Sequence, residues 1–315
     1  MSSTVLSSLF PVVLLIAIGF IAGRAGWIRP EAIKDLSNLV FMVLTPALLF
    51  RSMSSVRLEQ LNFAPVAMYL VAATLLYGAV LLWRGLTRRT AVLALAMTYG
   101  NNVMIGVPLV GLAYGHDGLV VLLTLISAHS LVLLTLATVV LELAVAREQA
   151  GSGPGTGRDR WRTVLGALRH GIVHPVPLPI IAGLLFAGIG GTLPAVVDQP
   201  LQLLGSAFGP MALVLVGLTL TRVRIGAHLR GALALTVMKN LVLPAVVAAL
   251  SWSMGLSGLA LSVMVVAAAM PIGANVFMFS QRYEVAQELV TASMAVSTVL
   301  GLATISVVMA LLSRW

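Results

Sequence analysis

The run Tyr99-Gly100-Asn101-Asn102-Val103-Met104-Ile105-Gly106-Val107-Pro108 determines how the rest of the chain is interpreted, because it interrupts the long apolar stretch 90–113. A helix that crosses a bilayer must satisfy its backbone hydrogen bonds within itself. Glycine weakens such a helix and proline removes one of its bonds, and two adjacent carboxamides are costly to expose to lipid. The run therefore predicts a broken transmembrane helix whose interruption is covered by neighbouring helices or lines a wet cavity.

A second interruption, Met270-Pro271-Ile272-Gly273-Ala274-Asn275, lies in the other half of the chain. Interrupted helices at corresponding places in two halves indicate the binding site of a secondary transporter. For either break alone, the alternative is a proline kink whose asparagines join helices. Two matched breaks favour the binding site.

The composition belongs to a polytopic helical membrane protein. The chain is 59% hydrophobic and 9% charged, and its mean hydropathy is +1.05. Soluble domains are far less apolar, and the long apolar runs exclude a transmembrane β-barrel, whose strands alternate. No cysteine is present, which excludes thiol chemistry and disulfides. The first apolar segment starts near Met1 with no basic residue before it, so we interpret it as a span and not as a cleaved signal.

About 20 apolar residues are needed for each span, and the sequence divides into ten such segments. They are predicted at 5–23, 33–53, 63–83, 91–113, 118–143, 172–193, 201–221, 229–252, 256–280 and 286–312. The predicted fold is all-α, with a first five-helix repeat in 1–143, a Gly- and Ser-containing linker in 144–170 and a second, inverted five-helix repeat in 171–315.

The basic residues predict the orientation of these spans. Fifteen of the nineteen Lys and Arg residues follow the first, third, fifth, seventh or ninth span. This bias places the linker in the cytoplasm and both termini outside. An odd number of spans in each half inverts the second half relative to the first, as in many secondary transporters.

The position and chemistry of the two breaks favour an anion. Asn101 and Pro271 lie about ten residues from the cytoplasmic ends of their spans, roughly 15 Å deep and near the middle of the bilayer. The N-termini of half-helices carry partial positive charge. Asn101, Asn102 and Asn275 can both donate and accept hydrogen bonds, which suits a carboxylate or a hydrated ion. No Asp or Glu lies at the centre of a span, which argues against a cation substrate.

Two ionisable residues, Lys239 and His129, lie near the middle of predicted spans. Lys239, followed by Asn240 and Pro244, could attract a carboxylate, join helices through backbone carbonyls or extend toward the cytoplasm, and these alternatives stay open. His129 could relay protons near neutral pH, but we interpret it as a hydrogen-bonded packing residue.

Three runs resemble the auxin efflux carrier family. Residues 101–108 resemble its fourth helix and Pro271-Ile272-Gly273-Ala274-Asn275-Val276-Phe277-Met278-Phe279-Ser280-Gln281-Arg282-Tyr283 its ninth, while Leu44-Thr45-Pro46-Ala47-Leu48-Leu49-Phe50 resembles its second. The resemblance implies a crossing of helices 4 and 9, shared with plant PIN-type auxin transporters and bile-acid sodium symporters. It also implies organic-anion substrates, which are indole-acetate in plants and dicarboxylates such as malonate or malate in bacterial members.

The resemblance also bears on single residues and on location. Asn101, Pro108, Pro271 and Asn275 match family positions, whereas Asn102 replaces the small residue more usual there. The short linker resembles that of bacterial members, which implies the bacterial inner membrane.

We therefore predict a secondary active transporter of small organic anions, either auxin-like monocarboxylates or dicarboxylates, that works by elevator or rocking alternating access. The predicted substrate-binding residues are Asn101, Asn102, Met104, Gly106, Pro108, Pro271, Gly273, Asn275 and Lys239. Expected partners are the anion, Na⁺ or H⁺ as a coupling ion, the lipid bilayer and a second copy in a homodimer, but no nucleic acid. No enzyme activity, cofactor or metal site is predicted.

Three alternatives stay open at this point. The first is a sodium- or proton-coupled symporter of a neutral or zwitterionic solute on the same scaffold. The second is a membrane enzyme or a receptor that transports nothing. The third is a channel, whose flux would not saturate with substrate.

Overall fold

The computed structural model describes residues 3–56, 63–149, 177–223 and 226–312 of the chain. Within these residues the fold is helical, which confirms the all-α prediction, and two breaks meet in one isolated β-bridge between Gly100 and Ile272. Seven helical segments are long and apolar enough to cross a membrane, so the chain is a multi-pass membrane protein. They are Ser7–Arg24, Ala32–Ser54, Ala64–Arg84, Asn102–Val145, Ala195–Leu220, Leu229–Ser253 and Gln287–Leu312.

In the first half of the chain, the residues that the structure describes form six α-helices. They are α1 (Ser3–Arg24), α2 (Ala32–Leu39), α3 (Thr45–Ser54), α4 (Ala64–Arg84), α5 (Arg88–Thr98) and α6 (Val107–Gln149). Within α6, Gly115 has φ 65° and ψ −155°, a conformation that glycine adopts readily and other residues avoid. Gly115 therefore divides α6 into two helices, at the point where the sequence predicts the end of the fourth span and the start of the fifth.

The described residues of the second half form seven α-helices. They are α7 (Pro177–Gly188), α8 (Ala195–Leu220), α9 (Leu229–Val237), α10 (Leu243–Ser253), α11 (Gly258–Ala268), α12 (Ala274–Arg282) and α13 (Gln287–Leu312). Because α6 continues to Gln149, the first six residues of the predicted linker 144–170 are helical. The rest of that linker lies outside the described residues. The division into two five-helix repeats stays a prediction.

Three π-helical turns occur among the described residues, and each ends two residues before a proline. The turns are Val40–Leu44, Asn102–Gly106 and Met238–Val242, and the prolines are Pro46, Pro108 and Pro244. A proline donates no hydrogen bond, and its ring collides with the carbonyl four residues earlier. The residue before each proline instead donates to the carbonyl five residues earlier, as the Val107 amide does to Asn102. The wider turn accommodates the proline without ending the helix.

The helices pack in two groups. In the first group, α1 packs against α8, and α3 packs against α7 and α8. A methyl group on Gly19 would meet the backbone of Val214, and one on Gly217 would meet the backbone of Ile16, so glycines let α1 and α8 come into direct backbone contact. In the second group, α4 packs against α5 and α10, α10 against α11, and α9 against α13. Both helix breaks belong to this second group.

Candidate functional site

The first break separates α5 from α6. The chain leaves the helix after Thr98, and Asn101 then caps the π turn, because its Oδ1 accepts a hydrogen bond from the Met104 amide at 3.3 Å. The Asn101 carbonyl accepts hydrogen bonds from the next turn. The first amides of this helix, those of Asn102 and Val103, have no carbonyl one turn earlier to bond.

The second break separates α11 from α12. Pro271 has no amide proton, and the Ile272 amide bonds to the Ser297 hydroxyl at 3.1 Å instead of to its own helix. Gly273 then precedes the first turn of α12 with an extended backbone. The second half-helix thus begins with free amides, as the first does.

The two breaks meet through their backbones. The Asn101 amide donates to the Pro271 carbonyl at 2.7 Å, and the Gly273 amide donates to the Tyr99 carbonyl at 3.0 Å. A β-carbon on Gly273 would lie 2.8 Å from Tyr99 Cδ1 and 2.9 Å from the Gly100 oxygen, which is too close for either atom. The absence of a side chain at Gly273 therefore permits the contact between the two breaks.

Tyr99 joins the two breaks through its side chain as well. Its hydroxyl accepts a hydrogen bond from Asn275 Nδ2 at 2.8 Å and lies 3.0 Å from the Ser130 hydroxyl. Asn275 starts α12 and Ser130 belongs to α6, so one buried phenol fixes three parts of the site. The sequence analysis did not single out Tyr99 or Ser130, although Tyr99 directly precedes the first break.

A cavity of about 40 Å³, which we call the crossover pocket, lies where the breaks meet. Its walls include the first residues of both half-helices, which are Asn102 and Val103 on one side and Ala274 and Asn275 on the other. Both helix N-termini place partial positive charge at the pocket. No acidic residue is among the described residues of the wall, and this electrostatic environment suits an anion.

A larger cavity of about 350 Å³, which we call the vestibule, adjoins the crossover pocket. The two cavities share Phe41, Asn101 and Ala274 as wall residues. Most of the vestibule wall is apolar, and Arg222 is the charged side chain among its described wall residues. Arg222 is exposed just beyond α8, on the side for which the basic residues predict the cytoplasm.

Lys239 lies behind the crossover pocket and outside its wall. Its side chain is fully buried, and Nζ donates to the carbonyls of Ala268 at 2.6 Å and Met270 at 2.7 Å. These carbonyls belong to the C-terminal end of α11, which carries partial negative charge. Of the roles open to Lys239, the structure shows the link to backbone carbonyls.

The structure brings part of the predicted residue set together. Asn101, Asn102, Gly273 and Asn275 line the crossover pocket, and Met104 lines the vestibule. Pro271 takes part through its carbonyl.

Two other predicted residues lie away from the pocket wall. Gly106 is buried in the π turn, and Pro108 lines a separate, mainly apolar cavity of about 290 Å³.

His129 corrects one interpretation made from the sequence. The side chain is 1% exposed, and its ring packs 4.4 Å from the Tyr99 ring and 5.3 Å from the Tyr69 ring, measured between centroids. It does pack, but within the described residues neither ring nitrogen has a hydrogen-bond partner. His129 also lines the crossover pocket. The expectation that His129 packs is therefore confirmed, and the expectation that it is hydrogen-bonded is wrong.

Comparison with known proteins finds one matching family and several relatives that are named as transporters. The family described as membrane transport protein matches residues 4–309. A Rhizobium meliloti protein named "Putative malonate transporter" is 27% identical over 300 residues, covering 93% of this chain and 91% of that protein. The Escherichia coli K12 protein "Uncharacterized transporter YfdV" is 25% identical over 307 residues, covering 94% and 93%.

A plant relative is also found. "Auxin efflux carrier component 8" of Arabidopsis thaliana is 23% identical over 241 residues, covering 65% of this chain and 66% of that protein. The family match spans both breaks and both groups of helices. The chain belongs to the membrane transport protein family, which is the auxin efflux carrier family that its second, fourth and ninth predicted helices resemble.

Proposed function

We propose that the protein is a secondary active transporter of small organic anions and that the crossover pocket is its substrate site. One observation carries the proposal: two helix N-termini converge on a pocket with no acidic residue among its described wall residues. The opposing negative end of α11 is neutralised by Lys239. The pocket therefore has a positive potential that favours a carboxylate.

Asn101 provides the clearest hydrogen-bond donor for that carboxylate. Its oxygen is engaged by the Met104 amide, so its NH₂ group is the part available to the pocket. Asn275 is held by Tyr99, and its backbone amide belongs to the open end of α12. The substrate carboxylate would bind these donors where the two half-helices begin.

Transport would proceed by alternating access between the two groups of helices. The group formed by α1, α3, α7 and α8 would serve as the scaffold, and the group that carries the breaks would rock or slide against it. In this proposal, ten spans form two inverted repeats in the bacterial inner membrane with both termini outside. The vestibule would be the cytoplasmic path to the site, since it joins Arg222 to Asn101.

The substrate would be a dicarboxylate such as malonate or malate, or an auxin-like monocarboxylate. The name of the Rhizobium meliloti relative supports the dicarboxylate, and the plant relative supports the monocarboxylate. Na⁺ or H⁺ is proposed as the coupling ion, and a homodimer as the assembly. A negative potential inside the cell would by itself favour anion export.

Flux into proteoliposomes tests the proposal. Radiolabelled malonate and indole-3-acetate are offered to the parent protein and to Asn101→Ala and Asn275→Ala, and saturable flux should fall at least about tenfold in both variants, which is about 1.4 kcal/mol of lost interaction. Asn38→Ala is the matched control, because Asn38 is exposed on α2. Unchanged flux in both site variants would remove these residues from the site.

The same vesicles separate the proposal from its alternatives. Flux of a carboxylate, driven by voltage or by an ion gradient, supports the proposal, whereas gradient-dependent flux of a neutral solute without flux of any carboxylate supports the symporter. Flux that does not saturate would indicate a channel. No flux of any carboxylate would contradict the proposal.

A further inference from the structure

An unusual set of polar side chains lies at the inner side of the crossover pocket, where Asn102 and His129 are wall residues and Tyr69 packs behind them against the His129 ring. Tyr69, Asn102 and His129 are at least 98% buried. Within the described residues, five of their polar atoms have no hydrogen-bond partner: Tyr69 Oη, both amide atoms of Asn102 and both ring nitrogens of His129. Tyr69 and Asn102 are neighbours, yet they do not complete a hydrogen bond of normal geometry.

Such a set is costly unless something outside the chain pairs with it. A buried donor or acceptor without a partner costs about 1–3 kcal/mol, and folded proteins pair nearly all of theirs. Other buried hydroxyls nearby follow that rule, since Thr98 and Thr236 donate to carbonyls of their own helices. Four of these five atoms belong to the wall residues Asn102 and His129, and four unpaired atoms on one cavity wall indicate a place for a polar guest.

The chemistry of these atoms favours a carboxylate as the guest. The Asn102 NH₂ group, one His129 ring N–H and the Tyr69 hydroxyl can all donate. No acidic side chain is among the described residues of the wall, and the Lys239 ammonium lies behind Gly100, 3.2 Å from where a β-carbon on Gly100 would be. Hydrogen-bond donors in a positive environment and away from water bind a carboxylate more strongly than they bind a neutral group.

The size of the pocket limits how much of a substrate it can hold. A volume of about 40 Å³ has room for roughly three water molecules. A carboxylate has three non-hydrogen atoms and fits, whereas an aromatic ring does not. The remainder of the substrate would lie in the vestibule, which is far larger and shares Phe41, Asn101 and Ala274 with the pocket.

We propose that His129 and Asn102, with Tyr69 beside them, form a head-group subsite that receives the substrate's carboxylate, while the tail occupies the vestibule. The protein then selects substrates by their carboxylate and places few demands on the tail. This inference rests on the proposed function and adds residues that recognise the head group. His129 is a specificity-determining residue in this arrangement.

His129→Phe tests the subsite. Phenylalanine keeps a ring between Tyr69 and Tyr99 but forms no hydrogen bonds, so the substrate-free protein should unfold at the same or a higher temperature. Malonate, malate and indole-3-acetate are each added beside their uncharged carboxamides, and thermal stabilisation of the purified protein is measured. The anions that stabilise the parent should bind His129→Phe about ten- to a hundredfold more weakly, and the carboxamides should stabilise neither protein.

Two further variants make the result specific. His129→Gln restores a donor and an acceptor and should recover part of the affinity that His129→Phe loses. Tyr77→Phe is the matched control, because Tyr77 also buries an unpaired hydroxyl but lies outside the pocket wall. It should leave carboxylate affinity unchanged.

The outcomes separate this inference from the proposed function. If the parent binds carboxylates and His129→Phe binds them equally well, the subsite is wrong and the proposed function stands. If no anion stabilises or is transported by the parent, both are wrong. If His129→Phe does not fold, Asn102→Ala decides, since parent-like carboxylate affinity in that variant would overturn the subsite.

Discussion

The two helix breaks look alike in sequence and differ in what holds them. The first break, between α5 and α6, places Asn101 and Asn102 at the crossover pocket, and the side-chain amide of Asn102 has no hydrogen-bond partner among the described residues. The second break, between α11 and α12, is held by groups from other helices. Lys239 donates hydrogen bonds to two carbonyls of this break, and the Ser297 hydroxyl accepts a hydrogen bond from the Ile272 amide.

The two breaks therefore have different roles in the site. The first break contributes the unpaired side-chain amide of Asn102, and the second contributes, besides Asn275, a fixed backbone that supports the first through Pro271 and Gly273. A crossing of two broken helices therefore need not be symmetric in function. The four predictions below test that asymmetry, starting with the largest expected effect.

Lys239→Met should destabilise the protein most. The change leaves the Ala268 and Met270 carbonyls buried without a donor, and the expected loss in free energy of unfolding is on the order of 3 kcal/mol. The measurement is the thermal unfolding midpoint in detergent. Lys34→Met on the exposed surface of α2 is the control. An unchanged midpoint in Lys239→Met would show that the second break does not depend on this lysine.

Gly273→Ala should follow, with a loss of about 2 kcal/mol from overpacking. The new methyl group would collide with Tyr99 and with the backbone oxygen of Gly100. Gly100→Ala is the comparison across the crossing, because its nearest neighbour, the end of the Lys239 side chain, would lie 3.2 Å from the new methyl group, farther than the 2.8 and 2.9 Å contacts at Gly273. Unfolding midpoints should therefore rank parent, Gly100→Ala and Gly273→Ala in decreasing order. The reverse order of the two variants would contradict the assigned asymmetry.

Ser297→Ala should cost about 1 kcal/mol, because the Ile272 amide loses its buried acceptor. Ser306 lies on the same helix and bonds to its own backbone at Leu302, so Ser306→Ala is a matched control with a smaller expected effect. Denaturant titration of both variants measures the difference. Equal midpoints would mean that the Ser297 hydroxyl does not support the second break.

Replacement of Glu148 should change the stability of the protein least, and the size of the change should depend on pH. The Arg88 backbone amide, followed by the Arg88 side chain at 2.6 Å, lowers the pKa of Glu148 below its ordinary value of 4.5. A lowered folded-state pKa adds stability above pH 4.5, and this stability is lost as the pH falls through the folded-state pKa. The contact joins the start of α5 to the end of α6, which are the two helices on either side of the first break.

Unfolding midpoints of the parent and Glu148→Gln between pH 3 and pH 6 measure this contribution. The variant should be slightly less stable near pH 6 and indistinguishable from the parent at the acid end, because exposed ion pairs contribute little. Glu284→Gln, at a carboxylate with no ion pair among the described residues, should follow the parent throughout. A constant difference at every pH would rule out the ionised carboxylate as the cause.

The sequence predicted the helices and the breaks because their causes are local. Apolar runs of sufficient length predict spans, and Gly, Asn and Pro in Tyr99–Pro108 and Met270–Asn275 interrupt them. The sequence did not predict the bond from Tyr99 to Asn275, or the partners of Lys239, because these contacts join residues far apart in the chain. It misjudged His129 because an unpaired nitrogen becomes visible only when every neighbour is in place.

The three π turns have a consequence for how this chain is compared with its relatives. Each turn contains one residue more than a regular helix needs, so everything beyond it is rotated by about 100° around the helix axis. The periodic pattern of interior-facing positions along each helix is therefore offset by one residue after Pro46, Pro108 or Pro244. A helical wheel drawn across such a proline mixes two faces, and a relative that lacks the extra residue would align with a one-residue gap at that position.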